Sequence, residues 1–177
     1  MRLVCSPALA FLFLSSAVFA DVIGPARVID GDTIEISGQR IRLHGIDTPE
    51  KNQQCRIDKL PWACGTAAWG RLVELTAGKR VRCKMGDLDR YARMVSICFA
   101  GDVNVNEALV ESGWALAYLR YSDDYIDEED RARAAGRGLW RGEFVPPWAW
   151  RRGERLTTPS FSRENVKGLS SPIQNTF

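Results

Sequence analysis

The sequence of 177 residues predicts an α+β domain with five β-strands and three helices. Two patterns favour this class. Apolar and polar residues alternate in short runs, as they do in half-buried strands, and elsewhere apolar residues recur at the spacing of an amphipathic helix. The predicted strands occupy residues 26–29, 33–36, 39–43, 80–83 and 93–99.

The first three predicted strands follow one another directly. Residues 33–36 (TIEI) alternate strictly, and the two-residue turn Ser37-Gly38 favours a hairpin with the third strand. Pro49 ends this region, because proline has no amide hydrogen for a strand ladder and holds the residue before it in extended geometry. A polar loop over residues 86–91 joins the last two strands.

The first helix is predicted from Ala68, Leu72 and Leu75, which share one helical face, and it ends at Gly78. Residues 140–150 are rich in tryptophan and proline and show no such period. We expect this later segment to fold back over the domain as apolar cover.

The second predicted helix begins at Asn104, which forms a capping box with Glu107, and it stops at Gly113. The third lies within residues 123–138, where six acidic residues precede three arginines. That order complements a helix dipole, and it favours a solvated helix over a binding patch.

The two ends of the chain differ from its middle. Residues 1–20 combine a charged start, an apolar core and a small-residue ending, which is typical of a cleavable signal peptide. Their apolar run is shorter than the roughly 20 residues that a membrane-spanning helix needs. Residues 156–177 lack periodicity and predict a disordered tail. We therefore expect an exported, periplasmic or extracellular monomer without a membrane span, whose folded domain covers residues 21–155.

The charge balance excludes the binding of nucleic acid by bulk electrostatics. Without residues 1–20, 23 basic and 22 acidic residues leave a net charge of +1. Recognition of phosphate must then come from a few focused side chains.

Four cysteines follow the predicted signal peptide, at positions 55, 64, 83 and 98. An even count in an exported chain favours two disulfides. Of the three possible pairings, Cys55–Cys64 with Cys83–Cys98 is favoured, because the second pair lies on two strands predicted to be adjacent. A zinc site is disfavoured, since no Cys-x-x-Cys spacing occurs and His44 is the only histidine.

Three carboxylates, those of Asp32, Asp47 and Glu50, leave the predicted strands at edges that a compact barrel would bring together. Like charges repel at close range unless a cation lies among them. Oxygen ligands without histidine or cysteine favour a hard ion, calcium or magnesium, over a transition metal.

Two arginines, Arg42 and Arg93, lie on strands that the same topology could place near those acids. Guanidinium groups match pairs of phosphate oxygens and stabilise the added negative charge of a five-coordinate transition state. The combination favours phosphodiester cleavage. Spacing alone fits equally well with Asp30-Gly31 as a simple turn and with both arginines as surface residues.

Four stretches resemble the staphylococcal nuclease-like, or thermonuclease, family in order and spacing: residues 28–33 (VIDGDT), 42–50 (RLHGIDTPE), 89–93 (DRYAR) and 105–115 (VNEALVESGWA). The similarity covers roughly residues 24–145. It implies a five-stranded OB-type β-barrel with three helices, in agreement with the strand and helix count above.

The resemblance implies that the carboxylates of Asp32 and Asp47 bind Ca²⁺ together with the main-chain carbonyl of Thr48. Glu50 would orient or deprotonate the attacking water. The calcium ion would act mainly by stabilising charge and by templating the reactants.

The resemblance also assigns the substrate contacts. Arg42 and Arg93 would bind the scissile phosphate, with Arg93 near the departing oxygen. Tyr91 and Tyr118 match positions that contact the nucleotide, which suits stacking on any base. Arg120 stands where the family has a second tyrosine, and this difference bears on substrate affinity or base preference.

These residues together predict a secreted, calcium-dependent phosphodiesterase that cleaves DNA and RNA with little sequence specificity. One alternative is an OB-fold module that binds single-stranded nucleic acid without cutting it. Such domains of the family typically lose the acids or the arginines, and here all of them are present. Another alternative is a structural envelope protein held by disulfides, which would need neither group.

Overall fold

The β-strands of the protein are short and pair into four separate sheets. The computed structural model describes residues 20–157. The strands of this region are β1 (Val22–Pro25), β2 (Arg27–Val28), β3 (Thr33–Ile36), β4 (Gln39–Leu43), β5 (Ile46–Asp47), β6 (Cys55–Ile57), β7 (Leu60–Trp62), β8 (Arg80–Cys83), β9 (Met94–Ser96), β10 (Cys98–Ala100), β11 (Val103–Asn104) and β12 (Leu116–Ala117). The helices are α1 (Cys64–Thr76), α2 (Val105–Glu111), α3 (Ile126–Ala134) and α4 (Pro147–Arg151), with a 3₁₀ turn at Gly138–Arg141.

The predicted α+β class is confirmed, and the five predicted strands and three predicted helices are present. The structure adds six short strands that were not predicted, β1, β5, β6, β7, β11 and β12. The predicted helices correspond to α1, α2 and α3, while α4 lies in the segment predicted as irregular cover. The strand predicted over residues 93–99 is divided at Ile97 into β9 and β10, which join different sheets. Within residues 20–157 the sheets therefore do not close into one continuous barrel.

A hairpin of β3 and β4 forms the centre of the sheet β2-β3-β4-β9. Its turn has positive φ at both central residues, 52° at Ser37 and 82° at Gly38. That backbone shape matches the twist of antiparallel strands, and glycine adopts it without steric cost. The resulting register places Thr33 opposite Arg42.

The parallel pairing of β9 with β4 sets the direction of the two predicted phosphate-binding arginines. Ile41 pairs with Met94, and both side chains are buried. Because side chains alternate along a strand, Arg42 and the residue before β9, Arg93, project from the face opposite to this core. The sheet therefore presents both guanidinium groups on one side.

The second large sheet has the order β1-β8-β10-β11 and carries a disulfide between adjacent strands. Cys83 on β8 pairs with Cys98 on β10 in both register and covalent bond, with their Cα atoms 4.0 Å apart. The other disulfide joins Cys55 to Cys64 at the start of α1. These are the two pairings favoured from the sequence.

The main core lies between the sheets and the helices α1 and α2. Burial of this apolar surface is the main favourable contribution to folding. The predicted helical face of α1 is present, since Ala68, Leu72 and Leu75 are buried. The largest fully buried apolar side chains are those of Ile34, Ile36, Ile41, Leu43, Ile46, Leu72, Met94, Leu109, Leu139, Val81 and Val105.

A smaller apolar cluster holds α4 against the domain. Leu116 and Leu139 are buried there beside the Cys55–Cys64 disulfide, with Trp148 packed against them. Pro147 stands at the first position of α4, where its missing amide hydrogen costs nothing and its fixed φ suits a helix. A five-residue helix has no room for a hydrophobic period, which is why the sequence pattern did not predict it.

The predicted signal peptide and tail lie outside the described residues, apart from residue 20 and residues 156–157. Among the helices of residues 20–157, none is long and apolar enough to cross a membrane.

Candidate active site

The turn that carries Asp32 is shaped by its own side chains. Asp30 Oδ1 accepts a hydrogen bond from the Asp32 amide at 3.1 Å, and the Asp32 carbonyl accepts one from the Leu43 amide at 2.8 Å. A Cβ atom at Gly31 would lie 2.5 Å from Thr48 Oγ1. Glycine is therefore required at this position, because it lets the turn pack directly against Thr48.

Asp47 is a fully buried acid at the end of β5. This strand pairs with β12, with Asp47 opposite Leu116, and the Asp47 side chain is 0% exposed. A buried carboxylate is stable only when cations or hydrogen-bond donors surround it. Two guanidinium groups, those of Arg42 and Arg151, provide them.

Arg42 joins the two aspartates that the sequence predicted as metal ligands. Its Nη1 lies 2.8 Å from Asp32 Oδ1, and its Nη2 lies 3.0 Å from Asp47 Oδ1. Burial alone would lower the pKa of Arg42, but the charges of Asp32 and Asp47 outweigh it and the net shift is upward. Arg42 therefore stays charged between them.

Asp32 is a buried acid whose ionised form is disfavoured by its surroundings. Burial raises the pKa of Asp32 to about 7, with Asp30 and Asp47 adding to the rise and Arg42 opposing it. The donors that reach its carboxylate from residues 20–157, Arg42 and the Thr33 hydroxyl, both bind Oδ1. Oδ2 is thus the free acceptor of this acid within the described part of the chain.

The backbone beside Glu50 is held by a tight local packing. The Glu50 carbonyl accepts a hydrogen bond from the Gln53 amide at 2.7 Å, and the Glu50 amide donates to Gln53 Oε1 at 3.2 Å. A Cβ atom at Gly65 would collide with the Glu50 carbonyl oxygen. The start of α1 therefore fixes the position of Glu50, whose side chain remains 40% exposed.

Arg151, at the end of α4, is a site residue that the sequence analysis missed. Its guanidinium lies 2.9 Å from Glu50 Oε1 and contacts both oxygens of Asp47, at 3.0 Å and 2.5 Å. Burial alone would lower the pKa of Arg151, but the hydrogen bonds that it donates to these two acids outweigh burial, and the net shift is upward. The proline that begins α4 was the only signal for this helix, and it does not indicate where the arginine would pack.

Arg93 is held by an acid from its own loop rather than by the aspartates of the site. Its Nε and Nη2 lie 2.8 Å and 2.7 Å from Asp89 Oδ2, and its guanidinium stands 5.4 Å from the centre of the Tyr91 ring. Tyr91 is exposed. The predicted pair of Arg93 and Tyr91 therefore forms one unit at the edge of the site.

Tyr118 belongs to a group of aromatic rings on the other side. Its ring stacks on Trp148 of α4 at 5.6 Å and meets the exposed Tyr121 edge-on at 5.0 Å. The sequence predicted Tyr118 alone. Arg120, which stands where the family has a second tyrosine, lies 5.8 Å from the centre of the Tyr121 ring. Tyr121 lines the site together with Tyr118.

One cleft of about 930 Å³ brings most of these residues together. It is lined by predicted site residues from distant parts of the chain and by the newly found arginine. They include Asp32, Arg42, Glu50, Arg93, Tyr118 and Arg151. Tyr91 and Thr48 also line the cleft, whereas Asp47 lies behind it.

The donor groups at the acidic end of this cleft suit a hard divalent cation. Asp32 Oδ2 is free of described donors, and because burial raises the pKa of Asp32, a cation beside it would stabilise its ionised form. Within residues 20–157, however, no three acidic, histidine or cysteine side chains are arranged as a ready metal-binding group. At Asp47 both carboxylate oxygens are held by Arg151.

Known proteins are similar to this chain over much of its length. The family described as Staphylococcal nuclease homologue matches residues 40–142 of the chain. A succinoglycan biosynthesis protein, ExoI, of Rhizobium meliloti is 38% identical over 78% of this chain and 75% of its own length.

Two relatives have names that state an activity. An uncharacterized endonuclease of Escherichia coli O157:H7 is 38% identical over 82% of this chain and 95% of its own length. A micrococcal nuclease of Shigella flexneri is 32% identical over 83% of this chain and 90% of its own length. The family match spans more than half of the sequence, and the chain therefore belongs to the staphylococcal nuclease homologue family.

Proposed function

We propose that the protein is a secreted, calcium-dependent nuclease that hydrolyses phosphodiester bonds of DNA and RNA with little sequence specificity. The observation that carries this proposal is the cleft in which Arg42, Arg93, Glu50 and Asp32 meet. It combines oxygen ligands for a hard cation with guanidinium groups for a phosphate, which are the two requirements of phosphodiester hydrolysis. The relatives named endonuclease and micrococcal nuclease support the same activity.

The carboxylates of Asp32 and Asp47 and the main-chain carbonyl of Thr48 would hold Ca²⁺, which supplies positive charge beside the scissile phosphate. Gly31 supports this arrangement, because its close approach to Thr48 brings the Asp32 turn against the strand end that carries Asp47. Asp32 contributes the free oxygen Oδ2.

The two arginines would bind the phosphate from the face of the sheet that they share. Arg42 is fixed by two buried acids and serves as a rigid donor. Arg93 is 22% exposed and is held by Asp89, an exchangeable partner near solvent. A phosphate that enters the cleft can accept one of the hydrogen bonds that Arg93 donates to Asp89. Arg93 then stabilises the negative charge on the oxygen that departs as the P–O bond breaks.

Glu50 would accept the proton of the attacking water. Its carboxylate borders the cleft, and its backbone is fixed by Gln53 and by the start of α1. A base held in this way can orient a water molecule in line with the departing oxygen, which lowers the entropic cost of attack.

The aromatic side chains give the cleft affinity without sequence preference. Tyr91 is exposed beside Arg93, and Tyr118 is fixed by its stack on Trp148. Every base offers a face for stacking, and such contacts tolerate any sequence. DNA and RNA would therefore both be substrates.

Export is supported by the two disulfides, since such bonds persist in oxidising compartments. We extend the proposal to a signal peptide over residues 1–20, a nuclease-like domain over 21–155 and a disordered tail over 156–177, in a periplasmic or extracellular monomer. The OB-type arrangement of five main strands stays a proposal for how the sheets are related, with Ile97 as the point where the chain passes from one sheet to the other.

The test is digestion of single-stranded DNA and of RNA by the purified protein, with calcium, with magnesium and with chelator. Arg93→Ala should lower calcium-dependent turnover by at least roughly a thousandfold, because it removes a charge partner of the transition state. Arg80→Ala, at the exposed first residue of β8, is the matched control and should keep full turnover.

Two results would overturn the proposal. Equal turnover in a folded Arg93→Ala variant would remove this residue from the reaction. Substrate that stays intact under all three conditions but is retarded on a gel would favour the non-catalytic module that binds single-stranded nucleic acid.

A further inference from the structure

Arg151 makes a paired contact with Asp47, the buried acid that lies behind the cleft. Its Nη1 and Nη2 each reach one oxygen of Asp47, and Nη1 also reaches Glu50. Parallel hydrogen bonds of this kind between guanidinium and carboxylate are among the strongest polar contacts in proteins. The arrangement is built from side chains 104 positions apart in the sequence.

The position of Arg151 covers Asp47 from the cleft. Asp47 is 0% exposed, and it does not line the cleft, whereas Arg151 does and is 38% exposed. Arg42 also donates to this carboxylate, at Oδ1, whereas Oδ2 is held by Arg151. A cation entering from solvent therefore meets the Arg151 guanidinium before it can reach an oxygen of Asp47.

Within the described residues both oxygens of Asp47 already have guanidinium donors, so that a divalent ion must compete with Arg151 for them. A guanidinium and a divalent ion placed on the same carboxylate oxygens repel each other at a separation of about 3–4 Å, where the interaction of charges is strong in a partly buried setting. The formal charges of the site also favour a divalent ion. The three carboxylates of Asp32, Asp47 and Glu50 exceed the guanidinium groups of Arg42 and Arg151 by one negative charge. If a divalent ion replaced Arg151, its second positive charge would cancel this excess, and the site would have no net formal charge.

Only the end of α4 has to move for this exchange. Pro147 and Ala149 are buried, and Trp148 is stacked on Tyr118, so that the body of the helix is fixed. Arg151 is its last residue and is followed closely by Gly153, whose φ of 96° is accessible to glycine. Rotation of one long side chain releases Asp47 and keeps the guanidinium attached to the rim of the cleft.

We propose that Arg151 is a tethered cation that occupies the metal-facing side of Asp47, and that a divalent ion binds by displacing it. The inference rests on the proposed function in taking Asp47 as a ligand. In the metal-free protein Arg151 neutralises Asp47 and Glu50 together, and arrival of the ion frees Glu50 at the same time. Arg151 is thus a positioning residue that couples cation binding to the availability of the base.

The test is calcium binding measured by titration calorimetry, without substrate, on the full chain. Arg151→Met keeps most of the side-chain volume and removes the charge, and it should bind Ca²⁺ at least about tenfold more tightly than the original chain. Arg152→Met is the matched control, because the neighbouring arginine pairs with Glu154 on the surface, and it should leave the affinity unchanged.

A second measurement covers the case in which Arg151→Met folds poorly. Loss of the guanidinium removes hydrogen-bond donors from Asp47, so that Arg151→Met should melt at a lower temperature than the original chain in chelator. Calcium should then raise the melting temperature of Arg151→Met by more than it raises that of the original chain. Arg151→Lys keeps the charge but loses the paired hydrogen bonds, and its calcium affinity should lie between the other two.

The outcomes separate this inference from the proposed nuclease. Equal or weaker calcium binding by folded Arg151→Met and Arg151→Lys, or no calcium binding by any variant, would overturn the displacement. Tighter binding by Arg151→Met with no cleavage of DNA or RNA by the original chain would support the displacement and overturn the nuclease.

Discussion

The side chain of Gln53 connects Glu50 with the segment that leads into α4. Gln53 Nε2 donates a hydrogen bond to the main-chain carbonyl of Val145 at 2.7 Å, across 92 positions of sequence, and its Oε1 accepts one from the Glu50 amide. The side chain is completely buried. One amide group therefore fixes the relative position of the predicted base and of the helix that carries Arg151.

Replacement of Gln53 by leucine should damage both stability and turnover. It leaves a buried carbonyl without its donor, a loss that costs about 1–3 kcal/mol. Urea unfolding checks the stability, and single-turnover cleavage checks the rate. Gln54→Leu changes the exposed glutamine next to it and should alter neither. Equal stability of the two variants would mean that the Gln53 contact is not structural.

Gly65→Ala should slow cleavage by at least roughly tenfold, because the new methyl group displaces the Glu50 backbone and misplaces the base. The control lies on the same helix. A methyl group added at Gly70 would meet no neighbouring atom within 4 Å, and Gly70→Ala should raise the free energy of unfolding by about 0.5–1 kcal/mol without change in rate. Full turnover by Gly65→Ala would show that the position of Glu50 is not critical.

Glu50→Gln should lower turnover by roughly a hundredfold to ten-thousandfold while changing calcium affinity little, since a base that moves a proton contributes more to rate than to ion binding. Cleavage assays at saturating calcium and calorimetric titration measure the two quantities separately. A loss of calcium affinity as large as the loss of rate would instead place Glu50 among the ligands of the ion.

The stability of the metal-free protein should decrease as the pH rises from about 4 to about 7. In the folded state burial raises the pKa of Asp32 to about 7, whereas the unfolded chain has the ordinary value of 3.8. Between these values the unfolded chain has lost the proton that the folded protein retains, and deprotonation therefore favours unfolding. Urea unfolding in chelator at pH 5 and pH 7.5 measures the change.

Asp32→Asn removes this titration, and it isolates the effect from that of other groups. The free energy of unfolding of Asp32→Asn minus that of the original chain should increase with pH across the same range. A constant difference between the two proteins would show that the Asp32 carboxyl group does not titrate there.

Local patterns determined much of the fold. The β3–β4 turn, the buried face of α1 and the Asn104 cap depend on neighbours within a few positions, and each is present as predicted. The capping side chain of Asn104 accepts hydrogen bonds from the Asn106 and Glu107 amides. Such features follow from backbone geometry and near neighbours, which a sequence contains directly.

The residues of the cleft were found from motifs, whereas their partners were not. The motifs named Arg42, Glu50 and Arg93, and all three line one cleft. Tyr121 was overlooked, because an exposed tyrosine in a loop carries no pattern. The acid that holds Arg93 lay inside the quoted motif, yet only the structure gives their contact.

The sequence by itself determined the α+β class, the longer strands, the first three helices, the two disulfide pairings and the set of acids and arginines. Tertiary structure alone decided that β9 and β10 separate at Ile97, that α4 packs beside the cleft and that Arg151 covers Asp47. The physical reason is the range of the interactions. An ion pair between residues 104 positions apart depends on how helices and sheets pack, and no spacing along the chain records that packing.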